Sequence, residues 1–135
     1  MKMEMNLKIN IENLLIKKFI VKDKQERYLS FLSKVKTRNK FTNELYHFKD
    51  FNWKLFRKIA TNENEREIIN EIIKRKKNIS TCYIISANSK FDGKAVSVDE
   101  GIKEIIGEEG TILVFGNAEI VYYEGESPDN RYINL

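Results

Sequence analysis

The chain has 135 residues, 41% of them hydrophobic and 33% charged, with a formal net charge of +4, which is enough for one hydrophobic core and too little for two. A single domain is expected, and the lone cysteine, Cys82, excludes an internal disulfide framework and a cysteine-cluster zinc site. Lys17 and Lys18 cut the early apolar runs, so neither a signal-peptide core nor a membrane span is expected, and the chain reads as soluble and cytoplasmic.

The net charge hides a division. Residues 1–78 carry 20 Lys and Arg against 10 Asp and Glu, a net of +10, whereas residues 79–135 carry 4 against 10, a net of −6. Such asymmetry suits a polyanionic or acidic partner for the basic half, or complementarity between the halves within a monomer or across a homodimer. Part of it is compositional: Ile, Lys and Asn number 18, 18 and 14, the bias that an AT-rich coding sequence produces by itself.

In chain order, residues 7–21 suit a short amphipathic helix, with apolar Leu7, Ile11, Leu14, Leu15 and Ile16. From Asp23, Tyr28, Leu29, Leu32 and Val35 recur at helical spacing opposite Lys24, Glu26, Arg27 and Lys34, which predicts a surface helix. The basic run KVKTRNK at 34–40 is expected to span a helix end, where cations complement the carbonyl pole. Phe41, Leu45 and Phe48 continue a second helical face, and KDFNWKLFRKI at 49–59 reads as a short helix that Asp50 or Asn52 can cap. Asn62 with Glu65 resembles a capping box ahead of the stripe Ile68, Ile69, Ile72 and Ile73, predicting a helix over roughly 63–77 with Asn78 as its left-handed cap.

The second half turns β-rich. TCYIISA at 81–87 is a strand by propensity, and NSKFDGK at 88–94 is turn chemistry built on Asp92-Gly93. Ser97 with Glu100 forms a capping box for a helix carrying Val98, Ile102, Ile105 and Ile106, which Gly107 ends. The runs 111–115 and 119–123, dense in β-branched and aromatic residues, flank Gly116-Asn117 and predict a central hairpin closed by a two-residue turn with positive φ. After a turn at 127–130 the chain closes with a short strand from Arg131. Fold class follows from this order: α+β, with N-terminal helices packed on one face of a mostly antiparallel sheet of three to four strands.

Residues that carry chemistry are few. His47 lacks an identifiable proton partner or orienting group, and with Glu44 at i−3 it makes at most two metal ligands. Cys82 opens an apolar strand, the setting of an inert small hydrophobe and not of a nucleophile. Glu124 and Glu126, two apart on a strand, share a face and can serve acid–base work or hold a cation, which sketches a small metal-dependent hydrolase or nuclease. Arg131 is placed to pair with one of the nearby glutamates at the surface. Neither GxGxxG nor GxxxxGK[ST] occurs, so no cofactor is expected.

The positive signal is the basic, aromatic-rich middle, where Lys34, Lys36, Arg38, Lys40, Lys49, Lys54, Arg57 and Lys58 interleave with Phe41, Tyr46, Phe48, Phe51, Trp53 and Phe56. On one face these cations neutralise phosphates or an acidic protein surface while exposed aromatics stack on bases; with the aromatics buried, the lysines are merely the solvated side. The segments ELYHF at 44–48, CYIIS at 82–86, and VYYEGE with RYINL resemble small bacterial proteins of this length with no assigned activity, a resemblance that implies a compact bacterial domain and no site residue. A small non-catalytic binding protein is therefore expected, contacting nucleic acid or an acidic protein through Lys34, Lys36, Arg38, Lys40, Lys49, Trp53, Lys54, Arg57 and Lys58. The Glu124/Glu126 hydrolase stands as the alternative.

Overall fold

Alternation along the strands builds the fold from its centre outward. The structure, a computed structural model, describes residues 2–76, 78–126 and 130–134, with side chains from Leu7 onward. Among them, six strands form one antiparallel sheet in the order β1-β6-β5-β4-β2-β3: β1 (Phe56–Lys58), β2 (Thr81–Ser86), β3 (Ala95–Ser97), β4 (Thr111–Phe115), β5 (Ile120–Glu124) and β6 (Arg131–Asn134). On β4, Ile112 and Val114 face one core while Leu113 and Phe115 face the other, since neighbouring strand residues point to opposite faces. Both sides of the central hairpin are buried, as its unbroken apolar runs predict.

Helices α1 (Lys2–Phe19), α2 (Gln25–Leu32) and α3 (Val35–Thr42) cover the face of Ile112, Val114, Val121 and Tyr123. The α+β class and the N-terminal helices on one face are as expected. The opposite face, with Ile84, Leu113, Phe115 and Tyr122, is covered by α4 (Glu65–Arg75) and by α5 (Val98–Glu100), which runs into a π-helical turn at Gly101–Ile105. The sheet is thus a middle layer, because two consecutive apolar residues on a strand need a cover on each side.

Six strands exceed the three or four expected, and the extra two form both edges. Strand β1 lies inside the stretch read as a helix, where only Trp53–Leu55 makes a 3₁₀ turn before Phe56 pairs with Asn134. Strand β3 follows the Asp92-Gly93 turn and pairs with β2. Each is three residues long, too short for periodicity to register. Lys34–Lys40, read as spanning a helix end, instead caps and forms α3.

Other local signals hold with small displacements. Asn64, not Asn62, caps α4 by accepting from the amides of Arg66 and Glu67 at 2.9 and 3.3 Å, and Lys76, not Asn78, follows its last residue. Lys77, assigned to that last turn, and the turn residues 127–129 lie outside the described residues. Ser97 Oγ accepts from Glu100 N at 3.1 Å, as the capping box predicts.

The hairpin turn differs more. Phe115 pairs with Ile120, leaving a four-residue loop in which Gly116 and Ala118, not Asn117, take positive φ of 65° and 59°. Ala118 is fully buried among the α1-side core residues, its carbonyl accepts from Lys18 Nζ at 3.2 Å, and Glu119 N closes the loop onto Phe115 O at 3.2 Å. A left-handed alanine costs about 1–2 kcal/mol, which burial of its methyl, worth about 0.8 kcal/mol, offsets in part.

Candidate functional site

The basic, aromatic-rich segment does not form one face. A row of rings runs through its interior: Phe41 lies 5.5 Å from Phe48, Phe48 4.7 Å from Phe51, and Phe51 4.8 Å from Phe56, centroid to centroid. All four are buried, so these rings belong to the core and divide the cations into two groups.

The first group lies on α3. Lys34, Lys36 and Lys40 are exposed, with Lys40 Nζ 5.7 Å from the Phe31 ring centroid. Arg38 turns inward. Its Nε and Nη2 donate to the two Asp92 carboxylate oxygens at 2.6 and 3.1 Å, and its Nη1 lies 2.7 Å from Glu12 Oε2. Glu12 in turn accepts from Tyr83 OH at 2.5 Å, and Asp92 accepts from Ser86 N at 3.0 Å. Burial opposes the Arg38 charge, but the Asp92 hydrogen bonds and the Glu12 charge outweigh it and hold the guanidinium more firmly protonated. Burial, then Glu12, pushes the Tyr83 phenol well above its ordinary range. Arg38 is a structural clamp between α1, α3 and the β2–β3 loop, with its Nε, Nη1 and Nη2 all engaged by carboxylates and its side chain 21% exposed.

The sequence reading missed this network. Glu12 sits in the stripe formed by Leu15, Ile16 and Phe19, at i, i+3, i+4 and i+7, and an acid on an apolar stripe is itself a sign of a paired, buried carboxylate.

The second group surrounds β1 at the other edge of the sheet. Trp53 donates its indole N–H to Lys49 O at 3.0 Å, and its ring lies 4.6 Å from that of Tyr132. Tyr132 stands opposite Lys58 in the β1–β6 register, which brings Lys49, Trp53, Lys54 and Lys58 around one corner. Trp53 and Leu55 are 37% and 38% exposed. Arg57 points to the α4 side and is held by both oxygens of Glu63 at 3.0 and 3.2 Å. Among the described residues none of Lys34, Lys36, Lys49, Lys54 and Lys58 makes an ion pair.

The carboxylate pair diverges. Glu124 accepts from Tyr122 OH at 2.6 Å and Gly107 N at 3.2 Å, whereas Glu126 pairs with His47 Nε2 at 3.0 Å, and the 3₁₀ turn bearing His47 lies in the other layer. Shared strand parity fails because β5 ends at Glu124 and the chain turns at Gly125, whose N–H donates to Asn130 O at 2.8 Å. Among the described residues no group of three or more His, Cys, Asp and Glu could hold a metal ion. Arg131 does not join these acids: it bonds Glu65 and the Ala60 and Glu63 carbonyls, so its ion pair is largely buried. Cys82 is buried, and burial pushes its thiol up to about 12. No helix of the described residues is long and apolar enough to cross a membrane.

Compared with family models, curated proteins and solved structures, the chain finds no match in any of the three. Whatever can be said of function rests on the residues above.

Proposed function

We propose that the protein is a non-catalytic binding module whose basic N-terminal half contacts an acidic protein surface through the corner formed by Lys49, Trp53, Lys54, Leu55 and Lys58. The observation that carries this reading is that two partly exposed apolar side chains, Trp53 and Leu55, stand among three lysines that make no ion pair among the described residues. Apolar anchors inside a polar rim are the usual anatomy of a protein interface, with Trp the residue that most often dominates its energy. Lys34, Lys36 and Lys40 lie on the far side and add long-range attraction, which raises association rates more than affinity.

Nucleic acid is the weaker partner. Stacking on unpaired bases needs open aromatic faces, and Phe41, Phe48, Phe51 and Phe56 are all buried. The metal-dependent hydrolase has no support in the geometry of Glu124 and Glu126.

Trp53 is the only tryptophan, so its fluorescence reports on this corner alone. Poly-glutamate is expected to shift it, with affinity falling as salt rises from about 50 to about 300 mM, and a single-stranded oligonucleotide is expected to shift it less. Equal or tighter oligonucleotide binding with a steep salt slope would make the module a nucleic-acid binder, and no shift with either polyanion would remove the proposal.

A further inference from the structure

Resting on that reading, the geometry points to a more specific partner: an extended acidic peptide that adds to the open edge of β1 as a seventh strand. Ile59 N donates to Arg131 O at 2.8 Å, so Ile59 and, two residues back, Arg57 turn their backbone groups towards β6. By the alternation of an antiparallel ladder, Phe56 and Lys58 turn theirs outward. The Phe56 amide is already taken by Trp53 O. The Phe56 carbonyl and the Lys58 N–H remain on the edge, while the Lys58 carbonyl accepts from Arg57 Nη1 at 3.4 Å with its second lone pair still turned outward; together they make a short but ordered template for strand addition.

The two faces beside that edge differ in chemistry, and an added strand presents its side chains alternately to each. On the α1 side stand Lys58 and Trp53, with exposed Lys54 next in the chain. On the α4 side a groove of about 520 Å³ runs between α4 and the β1–β6 edge, with Ile68, Ile72 and Ile133 among its lining residues. An occupant that alternates acidic and apolar residues satisfies both faces in one register. Charge decides against a second copy of this chain: two β1 edges meeting would set Lys54 and Lys58 against lysines of their own kind, which is how natural edges avoid self-pairing. The same lysines select an acidic strand.

The test uses the full chain, a blocked peptide of about eight residues alternating Val and Glu, long enough to cover a strand of typical length, and an alternating Val–Lys control. The Val–Glu peptide is expected to shift Trp53 fluorescence and to slow hydrogen exchange of the Lys58 amide roughly tenfold or more; the control does neither. The double variant Lys54→Glu/Lys58→Glu, both exposed positions, is expected to weaken binding at least about tenfold with unchanged far-UV dichroism. A Trp53 response with an unprotected Lys58 amide overturns strand addition and leaves the binding module standing. Absence of any Trp53 response to this peptide and to poly-glutamate overturns both. Protection of Lys58 that grows with protein concentration, without peptide, replaces the acidic strand by a second copy.

Discussion

Arg38 on α3 grips both carboxylate oxygens of Asp92 in the β2–β3 loop while its third nitrogen reaches Glu12 on α1. Three segments far apart in sequence thereby share one guanidinium. Arg38→Ala leaves two largely buried carboxylates uncompensated and is expected to lower stability by about 3–5 kcal/mol. Arg38→Lys loses the fork geometry and recovers less than half of that, a conservative exchange in charge only. Urea unfolding checks both, and a loss under about 1 kcal/mol for Arg38→Ala would show that the clamp carries no weight.

Gly101 lies against Cys82. A Cβ at position 101 would come 2.6 Å from Cys82 Sγ and 3.0 Å from Cys82 Cβ, on strand β2, which is paired on both sides by β3 and β4. Gly101→Ala is expected to destabilise by about 1–3 kcal/mol through overpacking. Combining it with Cys82→Ala removes the closer of the two contacts, so the pair should couple favourably by about 0.5 kcal/mol or more in a double-mutant cycle. Strict additivity would mean that α5 is free to shift outward.

Stability is expected to fall in alkali. Burial raises the Cys82 thiol from 9.0 to about 12 and the Tyr123 phenol from 10.0 to about 12. Between those limits the unfolded chain has released protons that the native protein keeps, so the unfolded state gains. Protection is complete below about pH 9 and decays towards pH 12, by about 1.4 kcal/mol per pH unit for each fully linked proton. Thermal melts from pH 8 to 11 read this directly. In the same range Cys82 should stay unreactive to a thiol reagent until denaturant is added, and ready labelling of the native protein would place the thiol nearer solvent.

Glu124 and Glu126 should behave as unrelated residues. Glu124→Ala strands the buried Tyr122 hydroxyl and is expected to cost about 1–3 kcal/mol, whereas Glu126→Ala removes only the exposed pair with His47, which contributes about 0–1 kcal/mol. Millimolar Mg²⁺ is expected to leave the melting temperature of the wild type and of both variants alike. A rise confined to the wild type would restore the hydrolase reading.

Much of the architecture was legible because its signals are local and repeated. The stripe from Ile68 to Ile73, the Ser97–Glu100 cap and the consecutive apolar residues of 111–115 each announce an element within one or two turns or strands. The edges were not legible, since β1 and β3 are three residues long and owe their extension to β6 and β2 rather than to any pattern of their own. For the candidate site, Trp53 and its lysines stood out by composition, but whether they shared a face with Lys34–Lys40 depended on which rings filled the core.

From its residues alone the chain determined its class, its most regular helices and strands, the inertness of Cys82 and the division of charge between its halves, because each depends on side chains a few positions apart. Only the tertiary structure decided that Arg38 is a buried clamp, that Arg57 is occupied by Glu63, that Glu124 and Glu126 part company, and that the remaining lysines fall into two groups. Most of those outcomes hang on contacts between residues far apart in sequence, 54 positions for Arg38 and Asp92 and 71 for Tyr83 and Glu12, and no local pattern encodes which of many chemically equivalent partners the fold will bring within reach.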